Sequence, residues 1–262
     1  MNIAFWDNQL CERGATVAIY DYAYYNEKNK ALIVEPRDLT NLDKIILNVS
    51  KKLDNWKIVF YCGKGLKKGY VKQFKSIDIQ IIELDCNNFT FEEYNNFMKS
   101  KKLWESMNSK YTLVFQADTY IFNTAPYTID FFMEMDLSYI GGNMSYNWKE
   151  LKFNNLNPTY KNFNGGLSLR KNKDMITIID TFPPTNSDGN YKILESYGED
   201  AYFTIGAYKL GFKVGDTAIC QHFCIHCIIK DQCFGIHKGS HCHLDKKKLL
   251  KIYPELYNQP YI

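Results

Sequence analysis

Tyr111-Thr112-Leu113-Val114-Phe115-Gln116-Ala117-Asp118 is the stretch that decides the fold. Its first five residues are aromatic, β-branched or aliphatic, as in a strand covered on both faces, and the run ends on a carboxylate. In an open α/β sheet the carboxyl ends of the strands line the ligand crevice, so Asp118 stands at the mouth of a site. A carboxylate there can share a hard divalent cation with phosphate oxygens, because Mg²⁺ and Mn²⁺ take oxygen ligands and keep open positions. The competing reading is local: Asp118 only caps the turn that follows.

Working outward, strand and helix patterns alternate, which implies a mostly parallel sheet with helices on both faces. Ala31–Val34 is a short apolar run closed by Glu35-Pro36-Arg37. Leu42, Ile45, Ile46, Val49 and Leu53 then recur at helical spacing, with Thr40 as the expected N-cap. Lys57–Tyr61 and Ile79–Leu84 read as further strands, and Thr90-x-x-Glu93 is a capping box opening the next helix. Downstream, Ser138–Ile140 and Gly166–Leu169 read as strands, with Asn164-Gly165-Gly166 as a tight turn. Asp174–Phe182 reads as a helix ended by Pro183-Pro184, and Glu199–Leu210 as one stopped by Gly211. Residues 141–160 and 186–197 lack pattern and are expected to be lids or binding loops. Residues 1–30 form an added βα element, 31–240 the main domain and 241–262 a C-terminal tail or helix.

Composition narrows the class. At 262 residues, 45% of them hydrophobic, the chain can bury one large core. A net charge of +3 is too small to argue for nucleic acid. The run Lys246-Lys247-Lys248 with Lys251 reads as a solvated helix face. No stretch approaches the ~20 apolar residues of a membrane span. Eight cysteines without a signal-like opening read as thiols in a reducing compartment, so a cytoplasmic location is expected.

Two more groups of residues can carry chemistry. Glu199-Asp200 follows a glycine and opens a helix. Acids in a first turn are often only dipole partners, but a carboxylate within reach of a hydroxyl can also take its proton. His237 lies in a region, Cys220 to His243, that holds all five histidines. There Cys224-x-x-Cys227 with Cys233, His237 and His241 raises a zinc site, although no second Cys-x-x-Cys completes it. Gly63-Lys64-Gly65 and Gly69 match neither phosphate-loop spacing and read as a turn after a strand.

In order along the chain stand Ile33-Val34-Glu35-Pro36-Arg37, Phe60-Tyr61-Cys62-Gly63, Leu103-Trp104-Glu105, Phe115-Gln116-Ala117-Asp118-Thr119, Tyr139-Ile140-Gly141-Gly142, Phe163-Asn164-Gly165-Gly166-Leu167-Ser168-Leu169-Arg170, Glu199-Asp200-Ala201-Tyr202-Phe203 and Phe234-Gly235-Ile236-His237-Lys238. From about Ala31 to about Ser240 this set resembles a family of domains of unknown function grouped with the GT-A glycosyltransferases. The resemblance implies an α/β fold of the GT-A, Rossmann-like kind with a single mixed sheet. It also implies a nucleotide-sugar site at Glu35, Pro36, Arg37, Gln116, Ala117, Asp118, Asn164, Gly165, Gly166 and Lys238. Asp118 and His237 would hold Mn²⁺ or Mg²⁺, with Gln116 standing where such enzymes carry a first acid. Asp200, with Glu199 beside it, would be the base of an inverting transfer. The same comparison puts a small residue and often an acid where this chain has Cys224 and His226, which weakens the zinc reading.

The expected activity is therefore transfer of a sugar from a nucleotide diphosphate, UDP by default, to a hydroxyl of a glycan, protein or small molecule. Trp148, in the first patternless stretch, is a candidate for stacking on a sugar ring. The rivals are a nucleotidyltransferase on a similar sheet, which would need a second carboxylate near Asp118, and a module that binds sugars or zinc without turnover.

Overall fold

The computed structural model describes residues 28–143, 163–184, 198–239 and 244–259. The apolar runs read from the sequence form β1 (Lys30–Glu35), β2 (Lys57–Cys62), β3 (Ile79–Glu83) and β4 (Tyr111–Phe115), all parallel to one another. After β4 come β5 (Thr119–Ile121), β6 (Tyr139–Asn143) and β7 (Phe163–Lys171). The main sheet has the order β3-β2-β1-β4-β7-β6. Because β7 runs antiparallel to both β4 and β6, the sheet is mixed, as the family resemblance implies, and less parallel than the strand–helix alternation suggests.

Helix α1 (Leu42–Lys52) joins β1 to β2 and α2 (Lys67–Gln73) joins β2 to β3. The chain then returns across β1 to β4 through α3 (Phe91–Met98) and α4 (Lys101–Met107). Since such crossovers are right-handed, the change of direction puts α3 and α4 on the opposite face. There they meet α6 (Asn172–Thr181) and α7 (Glu199–Lys209), with α5 (Ile129–Glu134) lying between β5 and β6 in sequence. Helices therefore cover both faces. Thr90 and Glu93 form the expected capping box of α3. At α1 the cap is Asn41 in a left-handed conformation (φ 69°) rather than Thr40, because the chain turns more tightly there than an extended cap allows. Gly211, at φ 69°, ends α7 as expected.

Asn164-Gly165-Gly166 is not a turn. It lies inside β7, the longest strand, whose Leu167 pairs with Phe115. On the other edge, Gly141 pairs with Ser168 and Gly142 with Asn164, so residues 165–167 bulge out of the ladder. Bulges of this kind re-aim a strand beside a site.

A second, three-stranded sheet packs against the first, in the order β5-β9-β8, with β8 at Cys224–Ile225 and β9 at Gly235–His237. Helix α8 (Thr217–Phe223) leads into it, its Asp216 cap accepting from the Ile219 N–H. Residues 244–259 belong to this layer: Leu249, Tyr253 and Leu256 share a core with Phe122, Ile225 and Ile236. The Glu255 carboxylate accepts from Tyr120 Oη and the Asn123 N–H, fastening the chain's last described segment to β5. Helix α9 (Lys246–Ile252) exposes Lys246, Lys247, Lys248 and Lys251, the solvated face read from the sequence. No helix among the described residues is long and apolar enough to cross a membrane. Residues 1–27 of the expected added element at 1–30, Trp148, residues 144–160 of the first patternless stretch and the whole of the second, 186–197, lie outside the described residues.

Candidate active site

Between β1 and β4 the connections leave in opposite directions, and at that point an α/β sheet opens a crevice. A cleft of ≈ 510 Å³ lies there, with Glu35, Pro36, Arg37, Gln116 and Asp118 on one side and Tyr94 and Phe91 of α3 on the other. Glu35 is buried and gives both carboxylate oxygens to the Arg37 guanidinium, at 2.8 and 2.7 Å, and accepts the Arg37 N–H at 3.0 Å. Arg37 is thus the exposed group at the cleft mouth and Glu35 the residue that fixes it. Gly63 belongs to the same corner. A Cβ there would lie 2.0 Å from the Pro36 carbonyl oxygen, so the glycine permits two strand ends to touch and needs no phosphate to explain it.

At the head of β4 three side chains converge. His237 Nε2 lies 2.9 Å from Gln116 Oε1 and 3.1 Å from Asp118 Oδ1. The register of β5 on β9 brings this about: Thr119 sits opposite His237, so Asp118 falls beside the ring. Gly166 holds the corner together, its carbonyl accepting from the Gln116 N–H and from Thr119 Oγ1. A Cβ at Gly166 would lie 2.1–2.4 Å from three atoms of the His237 ring, so only glycine leaves room for it. Gln116 also donates its amide to Tyr94 Oη at 3.1 Å. Burial pushes the Asp118 carboxyl up, but the contact with His237 and the charge of Lys238 outweigh it and leave it below the ordinary value. Lys238 is exposed, in a left-handed conformation, and its N–H bonds the Asp118 carbonyl.

One residue back along the bulge the chemistry changes. A Cβ at Gly165 would strike Glu199 and Arg170 at 2.3 and 2.7 Å. Arg170 is fully buried beneath the rings of Tyr139, Trp104 and Phe203 and forks onto both oxygens of Glu199. Asn95 of α3 accepts the Glu199 N–H at 2.6 Å, satisfying one of the open donors at the start of α7. Glu199 thus gives both carboxylate oxygens to Arg170 and its N–H to Asn95. Asp200 lies against the same glycine, its Cβ 3.1 Å from where a Gly165 Cβ would stand. Its Oδ1 accepts from the Ala201 N–H, and the Gly165 backbone also bonds to it. Burial, reinforced by the charge of Glu199, pushes its carboxyl up to about 6.

Residues 78–240 match the model of a family described as "Protein of unknown function (DUF5672)". The chain belongs to this family. The match begins at β3, later than the resemblance expected from Ala31 onward, and it takes in Gln116, Asp118, Glu199, Asp200 and His237. No curated protein matches the chain. Among solved structures it is similar to the 4-diphosphocytidyl-2C-methyl-D-erythritol synthase of Anaerococcus prevotii, at 11% identity and a TM-score of 0.42 over 73% of this chain and 87% of that one. It is similar also to the PaToxG glycosyltransferase, at 15% identity and a TM-score of 0.37 over 76% and 78%. Both likenesses are distant in sequence and in backbone.

The sequence reading of this DUF5672 member passed over Tyr94 and Asn95, and named Arg170 and His226 without giving either a place in the site. None carries a local signal, because the partners of each lie far away in the chain. As for zinc, Cys224 and Cys233 are buried thiols, the first in the main core and the second in the core of the small sheet, and His241 lies outside the described residues. Among the described residues no group of three or more His, Cys, Asp or Glu is arranged to hold a metal. The corner at Asp118 and His237 offers two such ligands, with the Gln116 amide oxygen as a third donor.

Proposed function

We propose that this DUF5672 protein is a glycosyltransferase that moves a sugar from a nucleotide diphosphate, with UDP the first to try, to an acceptor hydroxyl and inverts the anomeric carbon. The observation that carries the proposal is the pairing, across two consecutive glycines of one bulge, of an Asp118–His237 corner in a cleft with a carboxylate raised to about 6.

The corner fits a divalent cation. Donor atoms sharing one six-coordinate ion at about 2.1 Å lie roughly 3 Å apart, and Nε2 of His237 stands 2.9 and 3.1 Å from its two oxygen neighbours. Mn²⁺ or Mg²⁺ would be held by Asp118, His237 and Gln116, and when bound supplies positive charge to a leaving diphosphate. Arg37, Pro36 and Ala117 line the cleft, and Lys238, whose N–H bonds the Asp118 carbonyl, would add positive charge beside the corner. Asn164, whose Oδ1 accepts the Gly166 N–H, keeps the bulge in the shape that opens a pocket for the sugar. Asp200 takes the acceptor's proton as its oxygen bonds the anomeric carbon and the nucleotide diphosphate departs from the opposite face. A carboxylate near 6 is better matched to that task at neutral pH than an ordinary one. Six free thiols among the described residues support the reading of a reducing, cytoplasmic setting.

The test is thermal stability against a panel of nucleotide sugars, each with and without Mn²⁺. A ligand that binds only the folded chain at a hundredfold excess over Kd adds about 2.7 kcal/mol. A metal-dependent shift with one nucleotide sugar, followed by release of its nucleotide diphosphate on adding acceptor, is the expected result. Release of pyrophosphate from a nucleoside triphosphate instead would make the protein a nucleotidyltransferase.

A further inference from the structure

His226 follows β8 as His237 closes β9, and the two strands pair in parallel with Ile225 opposite Ile236. Their next residues consequently fall on one face, side by side. Both histidines are buried. The rings stack 14° from parallel with centroids 5.2 Å apart, and Nδ1 of one lies 3.3 Å from Nδ1 of the other. The main sheet gives up two side chains to admit them. A Cβ at Gly142 would lie 2.8 Å from the His226 Cβ, as one at Gly166 would enter the His237 ring.

An Nδ1-to-Nδ1 contact can be a hydrogen bond only when one nitrogen carries a proton and the other a lone pair. His237 must offer its Nε2 lone pair if it is to bind a cation with Asp118, so its single proton then sits on Nδ1. That proton needs an acceptor in a buried place. We infer that His226 is the positioning residue of the cation site: its Nδ1 accepts the His237 Nδ1 proton and so presents the Nε2 lone pair to the Gln116–Asp118 corner. Its own proton is then on Nε2. With the corner empty of cation, the His237 Nε2–H points at the two oxygens and the bond between the rings reverses, with His226 Nδ1 donating. The pair thus changes tautomer together when a cation enters. This role rests on the cation site proposed above.

The test is Mn²⁺ affinity by electron paramagnetic resonance, without donor or acceptor, in the wild type and in Asp118→Asn, His226→Phe and His226→Asn. Phe keeps the stacked ring and removes the acceptor, whereas Asn places an amide oxygen near the position of Nδ1. Loss of an outer partner of a ligating histidine typically weakens metal binding ~10–100-fold. His226→Phe is expected to lose that much and His226→Asn to stay within about threefold of wild type. Affinity lost in Asp118→Asn but kept in His226→Phe would overturn the role of His226 alone. A wild type that binds no Mn²⁺ would overturn the cation site and this role together. If His226→Phe does not fold, ¹⁵N shifts of the imidazoles in the Mg²⁺-loaded wild type decide instead. A protonated Nδ1 on His237 with an unprotonated Nδ1 on His226 is expected, and the reverse would contradict the assignment.

Discussion

The two glycines of the β7 bulge look onto different kinds of chemistry. On the Gly165 side stands a closed electrostatic unit: Arg170 and Glu199 neutralise one another under a roof of aromatic rings, and Asp200 is left beside them. On the Gly166 side stands an open one, in which the oxygens of Gln116 and Asp118 converge on one imidazole nitrogen at the edge of a cleft. The first side is organised around a completed ion pair, the second around three side chains that meet at the cleft. In the proposed enzyme the first removes a proton and the second holds the donor. A single strand irregularity sets the distance between them.

The comparison is broken most severely by opening the closed side. Arg170→Met leaves Glu199 charged, buried and unpaired, and breaking such a pair costs about 3–5 kcal/mol. Urea unfolding should show this loss, and Arg170→Met combined with Glu199→Gln should recover most of it.

Next come the glycines themselves. Forcing an extra methyl into a packed site costs roughly 1–3 kcal/mol, so Gly165→Ala and Gly166→Ala should be destabilised alike. They should differ in what else they lose. Gly166→Ala displaces the His237 ring and should weaken Mn²⁺ binding by at least about tenfold, while Gly165→Ala should leave it near wild type. Equal effects on Mn²⁺ would show that the bulge does not divide the two functions.

The smallest effect concerns pH. Because the Asp200 carboxyl is raised in the folded state, that state holds its proton more tightly than the unfolded chain does. Its ionisation therefore costs stability as pH rises through about 6, and nothing below about 4. One pKa unit corresponds to about 1.4 kcal/mol. Allowing for the partial exposure of the group, Asp200→Asn should gain roughly 1–2 kcal/mol at pH 7 and nothing at pH 4 in paired denaturation curves.

Much of this fold was legible in advance. β1, β2 and β4 are continuous apolar runs bounded by Pro, Gly or Asp, and such runs announce themselves. Asp118 could be placed because a strand end in an α/β sheet has only one meaning for a ligand. What escaped depended on partners distant in sequence. Asn164-Gly165-Gly166 has the chemistry of a turn, yet it lies within β7, with Asn164 paired to β6 and the Gly166 carbonyl accepting from Gln116, and its glycines answer to side chains that arrive from α7 and β9. β8 and β9 are two and three residues long, too short for any periodicity to show. By position alone Glu199 and Asp200 are equivalent neighbours in a first helical turn, and only the family resemblance preferred Asp200. Arg170 is what separates them, by claiming one and leaving the other.

The most direct test of this division is to measure donor binding and sugar transfer side by side in Asp200→Asn and Asp118→Asn, with Mn²⁺ present. The account predicts that Asp200→Asn binds the nucleotide sugar as wild type does while its turnover falls ~10²–10⁴-fold, the usual weight of a general base, and that Asp118→Asn loses donor binding. Wild-type turnover in Asp200→Asn would contradict it.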